Sequence, residues 1–314
     1  MLRPPPIQSA PRYPATSAIA AAAIVVSVMR WSFNQDISAS FMDYHVWNNW
    51  QLWRALTATF PHGGAMHLLF NLYWLWTFGT FIERVYGHFR FLAIYALLAL
   101  GSMLAAFAVS GGNVIGLSGV IYGLWGMLMI LQRYQFRFQD TVDRQTNQVF
   151  IGWFFLCIIL TYTNLMSVAN MAHGAGAVLG MLLGLAISTE GTTRGKSVAG
   201  IVGLMAVILL AATVFWPQVN PTRLGANETE YVGTLASDDG NYPKAIRLLE
   251  IAAHKRNAPA HAWFNLAVAY HKAGRATEAN AAFARAADMP DADDQMREVG
   301  RLMQSQSNIV NTNR

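Results

Sequence analysis

Apolar residues run in blocks of up to about twenty, separated by short polar connections, as far as residue 217; beyond it they recur at helical spacing among charged residues. The blocks lie near 15–31, 65–82, 89–109, 114–132, 148–165, 169–188 and 197–216. Each approaches the ~20 residues that cross ~30 Å of hydrocarbon as a helix, so the pattern predicts seven membrane spans. Between the first two blocks, residues 32–61 are mixed and rich in Phe and Trp, among them Trp47, Trp50 and Trp53, the amphipathic rings favoured at a bilayer interface. Pro4, Pro5, Pro6, Pro11 and Pro14, with Arg3 and Arg12, predict a disordered basic start over residues 1–14. The first block is not read as a secretory signal, because Met29, Arg30 and Trp31 stand where a small-residue cleavage site belongs.

The expected fold is therefore all-α: a polytopic transmembrane helix bundle over 15–190, a seventh membrane helix at 191–217 and a small soluble helical domain at 225–314. That last segment repeats with a period of 34. Trp263, Leu266, Ala267, Tyr270, Gly274, Ala279, Phe283 and Ala286 follow the tetratricopeptide pattern, with Pro290 one place early. Gly233, Gly240, Ala245, Leu249 and Ala252 repeat part of it one period earlier. A generic pair of helical hairpins satisfies the same pattern. On either reading such surfaces bind a peptide or protein partner and carry no chemistry.

Composition strengthens the membrane reading. Hydrophobic residues make up 54% of the 314 and charged residues only 12%, about half the share usual in soluble domains. The net charge of +5 lies mainly in short connections, with no basic stripe interleaved with aromatics, so nucleic acid is not an expected partner. With the N-terminus inside, Arg3, Arg12, Arg84, Arg90, Arg133, Arg137, Arg144, Arg194 and Lys196 all fall on the cytoplasmic side. This arrangement obeys the positive-inside rule and sends the C-terminal domain to the opposite side. Cys157 is the single cysteine and makes no disulfide or metal site by itself.

Polar residues inside apolar blocks are the candidates for chemistry. Ser118 is expected about one turn into the fourth span from its outer end, and His173 at a comparable depth in the sixth. Both spans enter from the same face, so the two are level. Gly119 and Gly123 on one helix, and Gly176, Gly180 and Gly184 on the other, allow close packing of the two backbones. His67 and Asn71, four residues apart, share one face of the second span and can both donate to a common point. Acyl transfer needs such donors where negative charge develops on the carbonyl oxygen. With no Asp or Glu in a span core to orient His173, the expectation is a dyad of Ser118 as nucleophile and His173 as base. Tyr122, one turn below Ser118, is placed to pack on the imidazole. His62 is read as a loop or interface histidine, Glu83 as an ion pair with Arg84 and Arg90, and Tyr73, Trp74 and Trp76 as lipid-facing bulk. No spacing supports a metal site, and no cofactor is expected.

These motifs resemble those of the rhomboid intramembrane serine proteases: His62-Gly63-Gly64-Ala65-Met66-His67-Leu68-Leu69-Phe70-Asn71, Gly116-Leu117-Ser118-Gly119 with Tyr122, and Ala169-Asn170-Met171-Ala172-His173-Gly174-Ala175-Gly176 with Gly180. Trp53-Arg54 and Glu83-Arg84 are similar to further family signatures, and the likeness runs from about residue 15 to 190. It implies a six-helix rhomboid core in which the three motifs supply oxyanion residues, nucleophile and base. It also implies a serine endopeptidase that cuts transmembrane-helix protein substrates within the lipid bilayer. With no targeting peptide read in the sequence, the expected location is a bacterial plasma membrane. The seventh span and the repeats fall outside that core. Two other functions use similar ingredients. A catalytically inactive client-binding relative would lack Ser118 or His173. A transporter would carry carboxylates in its spans or symmetry between halves, and neither is present.

Overall fold

The computed structural model describes residues 3–32, 42–111, 114–163, 165, 168–256 and 258–312. Residues 33–41 of the expected interfacial segment lie outside that set. The chain forms two compact units, Met1–Val214 and Phe215–Arg314, and every regular element among the described residues is helical.

The first unit contains α1 (Pro14–Ser32), α2 (Ala65–Trp74), α3 (Thr80–Tyr86), α4 (His88–Ser110), α5 (Ser118–Tyr134), α6 (Arg144–Tyr162), α7 (Asn170–Ser188) and α8 (Gly191–Ala212). Among the described residues α1, α4, α6, α7 and α8 are each long and apolar enough to cross a bilayer. The other two expected spans take different forms. The block at 65–82 becomes one helical path, Ala65–Tyr86, in which a π-helical turn at Leu75–Gly79 separates α2 from α3. Thr77 and Thr80 donate their hydroxyls to the carbonyls of Tyr73 and Trp76 across this turn, absorbing backbone acceptors that the wider turn displaces.

The block at 114–132 starts as non-helical chain, and helix α5 begins at Ser118. Gly116 has φ +103°, a backbone conformation that ends any helical run upstream. Ser118 is thus the first residue of its helix rather than one turn inside it.

The proline-rich start is also ordered where it is described. Ile7–Arg12 forms a 3-10 turn, Trp76 Nε1 donates to the Pro5 carbonyl at 2.8 Å, and the Tyr13 and Trp76 rings meet edge to face. The expected pairing of Glu83 with Arg84 and Arg90 is replaced by a different one. The buried Glu83 carboxylate accepts from the amides of Ala15 and Thr16 at 2.9 and 2.8 Å, from the Thr16 hydroxyl at 2.6 Å and from His88 Nδ1 at 2.6 Å. The first turn of a helix has amides with no internal partner, and inside an apolar bundle a carboxylate that satisfies two of them gains more than a solvated arginine would supply. Of the three aromatics expected to face lipid, Tyr73 is exposed, Trp76 is half-buried and Trp74 is buried.

Close packing centres on α5 and α7. A Cβ at Gly176 would collide with the Gly119 carbonyl, and one at Gly180 with the Gly123 carbonyl, so backbone lies directly on backbone. On α4, the surface of Gly101 receives Leu179 of α7. By contrast α6 buries only Thr146, Phe150 and Cys157. It is attached through Tyr122 OH to the Phe150 carbonyl at 2.9 Å, Trp125 Nε1 to Asn147 at 3.1 Å and stacked Trp125 and Phe150 rings. Its N-terminus is capped by Asp143, whose carboxylate accepts from the Thr146 amide and is held below the usual Asp range chiefly by that bond.

The second unit is built from α9 (Arg223–Asp238), α10 (Tyr242–Ala253), α11 (Ala260–Lys272), α12 (Ala276–Ala287) and α13 (Asp294–Thr312). Thr222 and Asn241 cap α9 and α10 by accepting from Gly225 and Lys244 amides. Gly240 and Gly274 take φ of +76° and +75° where α9 and α11 hand over to the next helix, at equivalent points of two hairpins. The core interleaves small and large residues: Ala245, Ala267 and Ala279 beside Leu249, Leu266, Tyr270 and Phe283. Across α9 and α11, Glu230 accepts from His261 Nδ1 at 2.6 Å and Asn265 Nδ2 at 2.7 Å.

Candidate active site

Ser118 and His173 meet across the α5–α7 seam. His173 Nε2 lies 2.9 Å from Ser118 Oγ, a hydrogen-bonding distance for an imidazole and a hydroxyl. Because the glycines set the two helices in backbone contact, a side chain at the first residue of α5 reaches one in the first turn of α7. His173 is buried, Ser118 is half-buried, and Nδ1 of His173 has no hydrogen-bond partner among the described residues. No carboxylate among the described residues bonds the imidazole, and the Tyr122 ring packs against it. The two rings have centroids 4.5 Å apart and planes 22° from parallel, and the Tyr122 hydroxyl is anchored on the Phe150 carbonyl.

Ser118 is the first residue of α5, where the free amides and the dipole of a helix N-terminus favour negative charge.

His67 and Asn71 occupy different environments on α2. The Gly63 amide donates to His67 Nδ1 at 3.4 Å, which leaves Nε2–H as a donor. The His67 ring rests against Gly116, where a Cβ would come within 2.9 Å of its Cε1. Any larger residue at Gly116 would displace it. Asn71 is 1% exposed, and its Nδ2 has no partner among the described residues. A buried amide donor left unpaired costs about 1–3 kcal/mol, a cost proteins retain mainly where the donor has a use.

His62 was expected to be a loop or interface residue, and its integration into the site was not anticipated. It is fully buried. Nδ1 lies 2.8 Å from the Phe60 carbonyl and 3.2 Å from Ser27 Oγ, and Nε2 accepts from the Leu117 amide at 3.4 Å. Its ring meets that of His67 edge to face at 4.9 Å. Burial, helped by the neighbouring His67, pushes His62 down to about 3, so it stays neutral and keeps accepting from Leu117. Together with the Gly116 amide donating to the Ala58 carbonyl at 3.0 Å, it pins the two residues ahead of Ser118. The sequence signal was its five-residue spacing from His67 across a glycine pair.

No cluster of three or more metal-ligating side chains occurs among the described residues.

Comparison with known proteins converges on the same segment. Residues 49–190 match the family described as Rhomboid domain. The chain is 29% identical over 161 residues to Rhomboid protease GlpG of Yersinia pseudotuberculosis serotype I (strain IP32953), covering 51% of this chain and 52% of that protein. It is 33% identical over 135 residues to Rhomboid protease GlpG of Pectobacterium atrosepticum, covering 42% and 48%. The protein of the same name from Haemophilus influenzae is 28% identical over 137 residues, covering 43% and 69%. The matches thus span about half the length of the first two relatives, and α8 and the second unit lie beyond the matched family segment. Residues 49–190 are thus similar to a Rhomboid domain, and together with five helices among the described residues that are long and apolar enough to cross a bilayer this similarity supports an integral, multi-pass membrane protein.

Proposed function

We propose that the membrane unit is an intramembrane serine endopeptidase that cleaves transmembrane-helix protein substrates with a dyad of Ser118 and His173. The observation that carries this reading is the 2.9 Å approach of His173 Nε2 to Ser118 Oγ. Ser118 Oγ attacks a substrate carbonyl carbon while His173 Nε2 takes its proton. The developing oxyanion is received by Asn71 Nδ2–H and His67 Nε2–H. His173 then protonates the leaving amine, and in a second half-reaction it activates water to release the acyl group from Ser118. Tyr122 keeps the imidazole in plane with its task, replacing the carboxylate of a triad. A substrate helix satisfies its own amides, so it must unwind locally to present a carbonyl, which favours helix-weak sequences as substrates.

The arginine-rich connections support an N-terminus in the cytoplasm and a C-terminal unit outside it, in a bacterial inner membrane. The paired glycine turns and the small and large core pattern support two tetratricopeptide-like repeats in that unit, a surface for a peptide or protein partner. The test uses the full chain in vesicles with a tagged single-span substrate. Ser118→Ala and His173→Ala should each abolish cleavage at unchanged thermal stability; persistent cleavage in either variant contradicts the dyad.

A further inference from the structure

Between α5, α6 and α7, with Tyr122 in its wall, lies a cleft of about 230 Å³. Aromatic rings of α5 and α6, among them Tyr122, Trp125, Phe150 and Phe154, form one wall. The other is the small-residue face of α7, including Gly174 and Val178. No lining residue carries a charge, and the edge residues Ile151, Phe155 and Val178 are exposed on helices long and apolar enough to cross a bilayer, so hydrocarbon is the solvent they meet. The volume of the cleft decides among apolar occupants. It is smaller than the ~300–1,000 Å³ of sites for compact multi-ring ligands. It is also too small for even one turn of a helix ~10–12 Å across and ~5.4 Å in pitch. A single flexible aliphatic chain matches both the size and the lining.

We infer that this cleft binds one lipid acyl chain, which lies along α7 with its methylenes against the rings of Tyr122 and Phe154. Burying a methylene gains hydrophobic free energy only where it replaces water, so in the membrane the gain is van der Waals contact with the rings. The Tyr122 ring stacks on His173 and, with Phe154 meeting it edge to face at 6.2 Å, also forms part of this wall. The bound chain therefore completes the packing of the ring that holds the imidazole.

The experiment places the full chain in phosphatidylcholine vesicles doped with phosphatidylcholine bearing a diazirine on its acyl chain. After irradiation, adducts are mapped by mass spectrometry. Adducts at Phe154 should exceed those at Val202 and Val207, which are exposed on α8 and serve as the ordinary lipid-facing reference. Val178→Trp, filling the cleft, should lower the Phe154 adduct about tenfold and leave Val202 and Val207 unchanged; Val178→Phe substitutes if the tryptophan variant loses thermal stability. Equal labelling at all three positions, or a Phe154 adduct that survives filling, overturns the inference. Ser118→Ala should keep the lipid adduct, which separates failure of this inference from failure of the protease reading.

Discussion

The two units use small residues for opposite reasons. In the second unit, alanines at Ala245, Ala267 and Ala279 let α10, α11 and α12 close over Leu249, Leu266 and Phe283, and removal of apolar surface from water drives the closure. In the membrane unit that drive is missing, because lipid tails are as apolar as the helix surfaces. There Gly176 and Gly180 put α7 directly on the carbonyls of Gly119 and Gly123, and contact at backbone distance replaces the hydrophobic effect. The polar groups differ in the same way. Glu230 accepts from both His261 and Asn265, whereas Asn71 Nδ2 and His173 Nδ1 are buried without partners among the described residues. The second unit also buries Ser237 Oγ without a partner among the described residues; the contrast is that in the membrane unit the unpaired groups include the amide and ring nitrogens of two candidate site residues.

Substitutions should separate the two strategies. The largest effect is expected from Gly180→Leu, whose side chain has no room against Gly123; the membrane unit should fail to fold and Ser118 should lose all reactivity, read by thermal stability and active-site labelling together. Leu266→Ala removes a fully buried side chain from the second unit and should cost it about 2–5 kcal/mol, measured by hydrogen exchange over α11 in the full chain. Asn71→Ala should slow substrate cleavage by roughly 10²–10³-fold, about 3 kcal/mol of transition-state stabilisation, without lowering thermal stability, since the donor it deletes has no structural partner. A loss of stability equal to that seen with Leu266→Ala would mean that Asn71 is ordinary structure.

The smallest effect concerns pH. His62 is held near 3 against its ordinary 6.5, so the folded state binds fewer protons than the unfolded state between those values. Stability is therefore fully present above pH 6.5 and falls as the pH drops below it, by about 2 kcal/mol at pH 5. The acid dependence of the melting temperature between pH 7 and pH 5 should be shallower in His62→Gln.

Much of this was legible in the chain because its signals are periodic. Block length gave the apolar helices, and glycine spacing pointed to the α5–α7 seam and so to Ser118 and His173 as neighbours. What escaped depended on local competition that periodicity does not record. Gly116, at positive φ, delays α5 until Ser118 although the residues before it are apolar. The π turn at Leu75–Gly79 interrupts a block whose hydropathy is continuous. Glu83 turned to the bare amides of α1 instead of the arginines beside it, and the prolines ahead of Tyr13 became a strap on Trp76. His62 was underrated because its partners, Phe60 and Leu117, are backbone groups, to which sequence patterns are blind.

The proposed mechanism needs an alcohol made reactive by one imidazole. Purified full-length protein should therefore be labelled by a fluorophosphonate at Ser118 alone, and both Ser118→Ala and His173→Ala should abolish that labelling while melting at the wild-type temperature. Modification of a different serine, or undiminished labelling in the well-folded His173→Ala protein, would contradict it.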